Sequence, residues 1–130
     1  MTKKLLIVED EEKILKMLLA VFGMEDYEVL YARDGEEALR IVREDFPDLI
    51  LLDVWLPKIN GHEVCKLVKS WPETSEIKIL MISGFVQQYD VRKAFEAGAD
   101  AYMTKPFDTT ILLEKIEELL SSPNSDLKEP

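Results

Sequence analysis

Short runs of Ile, Leu and Val alternate along this chain with longer segments whose apolar residues recur at helical spacing, and that alternation leaves few folds open. The runs are too short for buried helices, while the segments between them are long enough for helices that return the chain. Repeated βα units of this kind build a parallel sheet covered by helices on both faces. The reading is therefore one α/β domain: a five-stranded parallel sheet, doubly wound as (βα)5.

The expected strands are Lys4 to Val8, Glu28 to Ala32, Asp48 to Leu52, Lys78 to Ile82 and Ala101 to Thr104. Asp48 to Leu52 is the most apolar and should be central. Ile14, Leu15, Leu18, Leu19 and Phe22 form the apolar stripe of a first helix closed by Gly23. Asp34 is the expected N-cap of a second, with Ala38, Leu39, Ile41 and Val42 inward. A third begins near Gly61 and turns Val64, Cys65, Leu67 and Val68 to the core. The fourth, near Gln87 to Ala97, has a thin stripe of Val91, Ala94 and Phe95 and ends in Gly98. Asp108 caps the last helix, whose Ile111, Leu112, Leu113, Ile116, Leu119 and Leu120 face inward. The domain spans 1–121, and 122–130 reads as a disordered tail or linker stump, because it carries too little apolar surface to fold.

With 130 residues, one core is enough to account for the apolar content. A net charge of -10 argues against a nucleic-acid surface, which must neutralise phosphates with clustered Lys and Arg. Protein partners fit better. A lone cysteine, Cys65, can form no internal disulfide, and no apolar run is long enough to span a bilayer, so the cytoplasm is the default location.

Four apolar runs end in residues suited to phosphoryl chemistry. Leu5 to Val8 runs into Glu9 and Asp10, Leu49 to Leu52 into Asp53, Ile79 to Ile82 into Ser83, and Ala101 to Thr104 into Lys105. In an open parallel sheet, functional groups collect beyond the carboxyl ends of the strands. If the first and third strands are neighbours, three carboxylates share a small volume, which calls for a cation. Carboxylate oxygens with room for water suit Mg2+, and the absence of a Cys or His cluster disfavours zinc. Asp53 is the natural nucleophile for an aspartyl phosphate, Lys105 would neutralise charge, and Ser83 could donate to a phosphoryl oxygen.

Four blocks in order then resemble the receiver domain of two-component response regulators. They are Leu-Leu-Ile-Val-Glu-Asp-Glu-Glu (5–12), Asp-Val-Trp-Leu-Pro-Lys-Ile-Asn-Gly (53–61), Met-Ile-Ser-Gly (81–84) and Ala-Gly-Ala-Asp-Ala-Tyr-Met-Thr-Lys-Pro-Phe (97–107). The resemblance covers residues 3–121 and implies a flavodoxin-like sheet of strand order 2-1-3-4-5. It implies that Asp53 accepts a phosphoryl group from a sensor histidine kinase or phosphotransfer protein, with Mg2+, or Mn2+ in its place. Asp10, Asp53 and the backbone carbonyl of Trp55 would ligate the metal, and Glu9 would hold it through water. Lys105 would pair with Asp53 at rest, next to a cis bond to Pro106. Ser83 and Tyr102 look like the family's switch pair, which changes the binding face of the fourth helix, fifth strand and fifth helix toward an output protein or effector domain. Such a domain catalyses only its own phosphorylation and dephosphorylation, as a monomer or a phosphorylation-dependent dimer.

Departures from the pattern are Glu9, where many receivers carry Asp, and Trp55, bulky where small polar residues are frequent and so a shield against hydrolytic water. The last helix lacks the basic residues that winged-helix regulators use to pair through this face. His62 reads as an exposed, idle histidine, Cys65 as core filler, Trp71 as cover for the end of the third helix, and Phe107 as packing. Two other functions compete with the receiver reading. A docking module without phosphorylation would not require Asp10, Asp53, Ser83 and Lys105 together. An Asp-nucleophile phosphohydrolase usually needs a second Asp where Trp55 stands.

Overall fold

The computed structural model describes residues 2–84 and 88–121. In it the apolar runs become strands β1 (Lys3–Val8), β2 (Tyr27–Ala32), β3 (Leu49–Asp53), β4 (Lys78–Ser83) and β5 (Ala101–Thr104). The segments between and after them become helices α1 (Glu12–Gly23), α2 (Gly35–Asp45), α3 (Gly61–Ser70), α4 (Gln88–Glu96) and α5 (Thr109–Ser121). All strand pairs are parallel, in the order β2-β1-β3-β4-β5. The expected tail, 122–130, and Gln87 lie outside the described residues.

Period-two alternation along the strands divides the core into two layers. Leu6, Val8, Ile50, Leu52, Ile79 and Met81 point to one side, where Ala38, Ile41 and Val42 of α2, Val64, Cys65 and Val68 of α3 and Ala94 of α4 cover them. Leu5, Ile7, Leu49, Leu51, Leu80 and Ile82 point to the other, under Leu15, Leu18 and Phe22 of α1 and Leu112 and Ile116 of α5. Every residue of β3 is buried, as its central place requires.

The caps fix where helices start. Asp34 accepts from the Glu37 N–H at 2.8 Å while the Glu37 carboxylate accepts from the Arg33 N–H at 3.0 Å, so both groups are satisfied reciprocally. Asn60 accepts from the Glu63 N–H at 3.0 Å, and Asp108 from Thr110 and Ile111 at 2.7 and 3.2 Å. Gly98, past the end of α4, has φ +108°, a conformation that L side chains rarely adopt.

Some inward assignments do not hold. Ile111 and Phe95 are 54% and 47% exposed, because the buried lines of their helices run through Leu112 and Ile116 and through Ala94. A residue one position before or after such a line is rotated about 100° away from it. His62 is not exposed either. It is half-buried where α4 approaches the first turn of α3, in a groove shared with Glu63, Lys66, Lys93 and Glu96, and its Nε2 has no hydrogen-bond partner. Burial, then Lys93, lowers its pKa, against a smaller opposing effect of Asp90.

Candidate functional site

Because all strands run the same way, the ends of β1, β3, β4 and β5 open at one edge of the sheet. The sheet pairing continues just past them: the Val54 N–H donates to Ile82 at 3.0 Å and the Lys105 N–H to Ser83 at 2.8 Å. These bonds fix the backbone from which Asp53, Ser83 and Lys105 project.

One carboxylate oxygen from each of Glu9, Asp10 and Asp53 lies within 4.8 Å of the others. Glu9 and Asp53 are buried and Asp10 is exposed, so the cluster has a dry floor and a wet mouth. Lys105 Nζ enters from β5, 3.1 Å from Glu9 Oε1 and 3.5 Å from Asp53 Oδ1. The other oxygen of Glu9 accepts from the Glu11 N–H at 3.1 Å. Three hard oxygen donors with open access suit a divalent cation of the Mg2+ type, which keeps several waters. Neither histidine nor cysteine belongs to the cluster.

The electrostatics follow from this crowding. Burial first, and the Glu9 charge second, push Asp53 up to about 6, against the opposing pull of Lys105 and of a hydrogen bond from the Trp55 backbone. Burial alone would lower the Lys105 pKa, but Asp53 and Glu9 outweigh it and the net shift is upward. Lys105 thus stays a cation between two carboxylates, and Asp53 is a carboxylate at neutral pH with a raised proton affinity.

Ser83, 1% exposed, sits at the end of β4 opposite Thr104. Tyr102 on β5 is partly buried against the layer that holds Ala94 and Ala99. The Lys105–Pro106 peptide bond is cis. Trp55 leaves its side chain 57% exposed two residues beyond Asp53.

Two features escape sequence reasoning. The Lys105 contact with Glu9 is shorter than the one with Asp53, the resting partner that the resemblance implies. The extra methylene of Glu over Asp at position 9 is the signal that this carboxylate reaches further. The second is Gly61, where a Cβ would overlap the Asp53 carbonyl and come within 2.8 Å of Val54 Cα. Its N–H donates to the Val54 carbonyl at 2.7 Å. The helix after β3 starts directly against the backbone of Asp53, which only a glycine permits.

Comparisons with known proteins agree with this arrangement. The family model described as "Response regulator receiver domain" matches residues 5–117. The alkaline phosphatase synthesis transcriptional regulatory protein PhoP of Bacillus subtilis is 39% identical over 98% of this chain and 55% of its own length. This chain therefore spans little more than half of that relative. The polar-differentiation response regulator DivK of Brucella ovis is 36% identical over 92% of this chain and 98% of its own. A crystal structure of a putative response regulator from Chloroflexus aurantiacus superposes with a TM-score of 0.89 at 36% identity, covering 94% of this chain and 100% of that one.

Proposed function

This chain belongs to the response regulator receiver domain family, and from that premise we propose that it is a phosphorylation-activated switch with Asp53 as phosphoacceptor. The donor is the phosphohistidine of a sensor histidine kinase or of a phosphotransfer protein. The observation that carries this reading is the meeting of Lys105 with Glu9 and Asp53, beside Asp10, at one sheet edge.

An Asp53 carboxylate oxygen attacks phosphorus, and the phosphorus–nitrogen bond to the donor imidazole breaks as the new phosphorus–oxygen bond forms. The departing nitrogen keeps the electron pair. Little covalent help is needed, since alignment and charge neutralisation dominate such transfers. Lys105 neutralises charge on the phosphoryl oxygens, and the Ser83 hydroxyl donates to one of them. Asp10, Asp53 and the Trp55 carbonyl would hold Mg2+, with Mn2+ as substitute and Glu9 acting through water; when bound, the ion supplies positive charge to the same oxygens. In the second half of the cycle water attacks phosphorus, the bond between phosphorus and the Asp53 oxygen breaks, and inorganic phosphate and a proton leave with the Asp53 carboxylate restored.

Ser83 and Tyr102 then report the modification: the serine hydroxyl moves toward the phosphoryl group and the Tyr102 ring follows into the space released. The surface of α4, β5 and α5 changes and selects an output protein or an attached effector domain. No described helix is long and apolar enough to cross a membrane, and the place of action is the cytoplasm, as a monomer or a phosphorylation-dependent dimer. The net charge of -10 fits protein partners better than direct contact with nucleic acid.

Incubation with Mg2+ and acetyl phosphate, read by intact mass, tests the proposal. One phosphoryl adduct is expected, lost in Asp53→Asn and on chelation. Absence of any adduct in the unmodified protein would overturn it.

A further inference from the structure

The loop from β3 to α3, residues 54–60, carries the Trp55 backbone and turns sharply at Lys58, whose φ is 70°. The Pro57 carbonyl accepts from the Ile59 N–H at 2.8 Å across that residue, which makes the bend a γ-turn. A non-glycine residue in this conformation persists only where its surroundings over-determine it. Here they do so from α2. The Gly35 N–H, an otherwise orphaned donor in the first turn of that helix, points at the same Pro57 carbonyl at 3.4 Å. Lys58 Nζ reaches back to Asp34 Oδ2 at 3.6 Å and Glu36 Oε1 at 3.7 Å.

The approach is backbone to backbone. A Cβ on Gly35 would overlap the Ile59 carbonyl oxygen and come within 2.8 Å of Ile59 Cβ. At its far end the same loop is pinned by Gly61 against Asp53 and Val54. The loop between the acceptor strand and α3 is therefore seated at its bend on α2 and, where it enters α3, on the acceptor's own backbone.

We propose that the first turn of α2 is a positioning element for phosphoryl transfer, with Gly35 as its key residue and the Lys58 contacts to Asp34 and Glu36 as its electrostatic part. It holds the backbone at Trp55 in place beside Asp53. This rests on the phosphoacceptor reading given above. Gly35 touches neither phosphoryl group nor metal, and acts only through the loop.

Gly35→Ala tests it against Gly23→Ala, because a Cβ at Gly23 meets nothing within 4 Å. Both are made in a Trp71→Phe background, which leaves Trp55 as the only indole to report Mg2+ binding by fluorescence. Gly35→Ala should weaken Mg2+ binding by about tenfold, as loss of an outer support does in metal sites, and slow acetyl phosphate labelling, while Gly23→Ala changes neither. In metal-free protein, hydrogen exchange at the Ile59 and Gly61 amides should quicken in Gly35→Ala alone. Unchanged Mg2+ affinity and labelling rate in a folded Gly35→Ala protein would overturn the proposal, whatever the exchange at the two amides. Should Gly35→Ala not fold, exposed Lys58→Met decides. The proposal requires faster exchange at the same two amides, and no change rejects it. A parent protein that neither binds Mg2+ nor takes a phosphoryl group refutes the functional reading instead, and the exchange result still judges the loop contact.

Discussion

The Lys105 ammonium donates to Glu9 Oε1 at 3.1 Å, so this cation is shared between the two buried carboxylates of the cluster, Glu9 and Asp53, the latter 3.5 Å away. Its charge is divided, and Asp53 keeps a proton affinity that a dedicated Lys105–Asp53 pair would have lowered further.

Removing either partner should move Asp53 in opposite directions. Glu9→Gln deletes the second-largest cause of the upward shift, after burial, and should bring Asp53 below its present value of about 6. Lys105→Met deletes the main opposing charge and should push it higher. Carboxyl-carbon NMR titration of metal-free protein reads both. Shifts of the same sign in the two variants would be incompatible with the shared-cation arrangement.

The raised value of Asp53 also couples folding to pH. Its pKa rises from 3.8 to about 6 on folding, so the folded chain binds this proton more tightly than the unfolded one. That contribution to stability is fully present below the unfolded value and is lost as pH rises through about 6. Asp53→Asn removes the ionised group and should stabilise the metal-free protein near neutral pH by about 1–3 kcal/mol. The gain should shrink toward zero in acid below the unfolded value. Urea denaturation with a chelator present measures it. A gain that grows on acidification would contradict the coupling.

The strand ends were legible because a parallel sheet leaves no choice about where Glu9, Asp10, Asp53, Ser83 and Lys105 emerge. Helix starts at Asp34, Asn60 and Asp108 follow local capping chemistry, of which the Asp34 and Asp108 caps are readable from sequence order alone. What sequence order hides is approach between segments. Nothing around Gly35 says that Ile59 will lie against it, and Gly61 reads as a helix start until Asp53 is seen behind it. Ile111 and Phe95 were misplaced because a helical stripe is wide, and the exact buried line depends on how the helix is rotated on the sheet.

On the other side of the molecule, Lys69 of α3 ties down the start of β5. Its Nζ donates to Asp100 at 2.9 Å, Ile77 O at 2.7 Å and Ser75 O at 3.3 Å, and Asp100 Oδ2 also accepts from the Ile79 N–H at 2.8 Å. The Asp100 side chain is only 2% exposed, and its loss leaves the lysine without a counter-charge in a mostly buried place. Asp100→Ala should cost about 3–5 kcal/mol. The change should appear as a lower urea midpoint with an unchanged slope, and a cost under about 1 kcal/mol would put this pair in the class of weak surface bridges.

Trp55 bears on the lifetime of the modified state. Its side chain is 57% exposed and follows Asp53 by two residues, so a large, solvent-exposed indole is tethered within two residues of the proposed acceptor. Hydrolysis requires water to approach phosphorus in line with the Asp53 oxygen, and a large apolar group near that approach raises its barrier. Trp55→Asn replaces the indole with a small amide that can orient water. The phosphoryl lifetime should then fall roughly fivefold, equivalent to about 1 kcal/mol in the barrier. Labelling with acetyl phosphate, removal of the donor and intact-mass decay curves give the lifetime directly. Because Asp10, Asp53 and Lys105 are untouched, labelling by acetyl phosphate should still occur. A lifetime in Trp55→Asn equal to or longer than that of the unmodified sequence would show that the indole does not shield the acceptor.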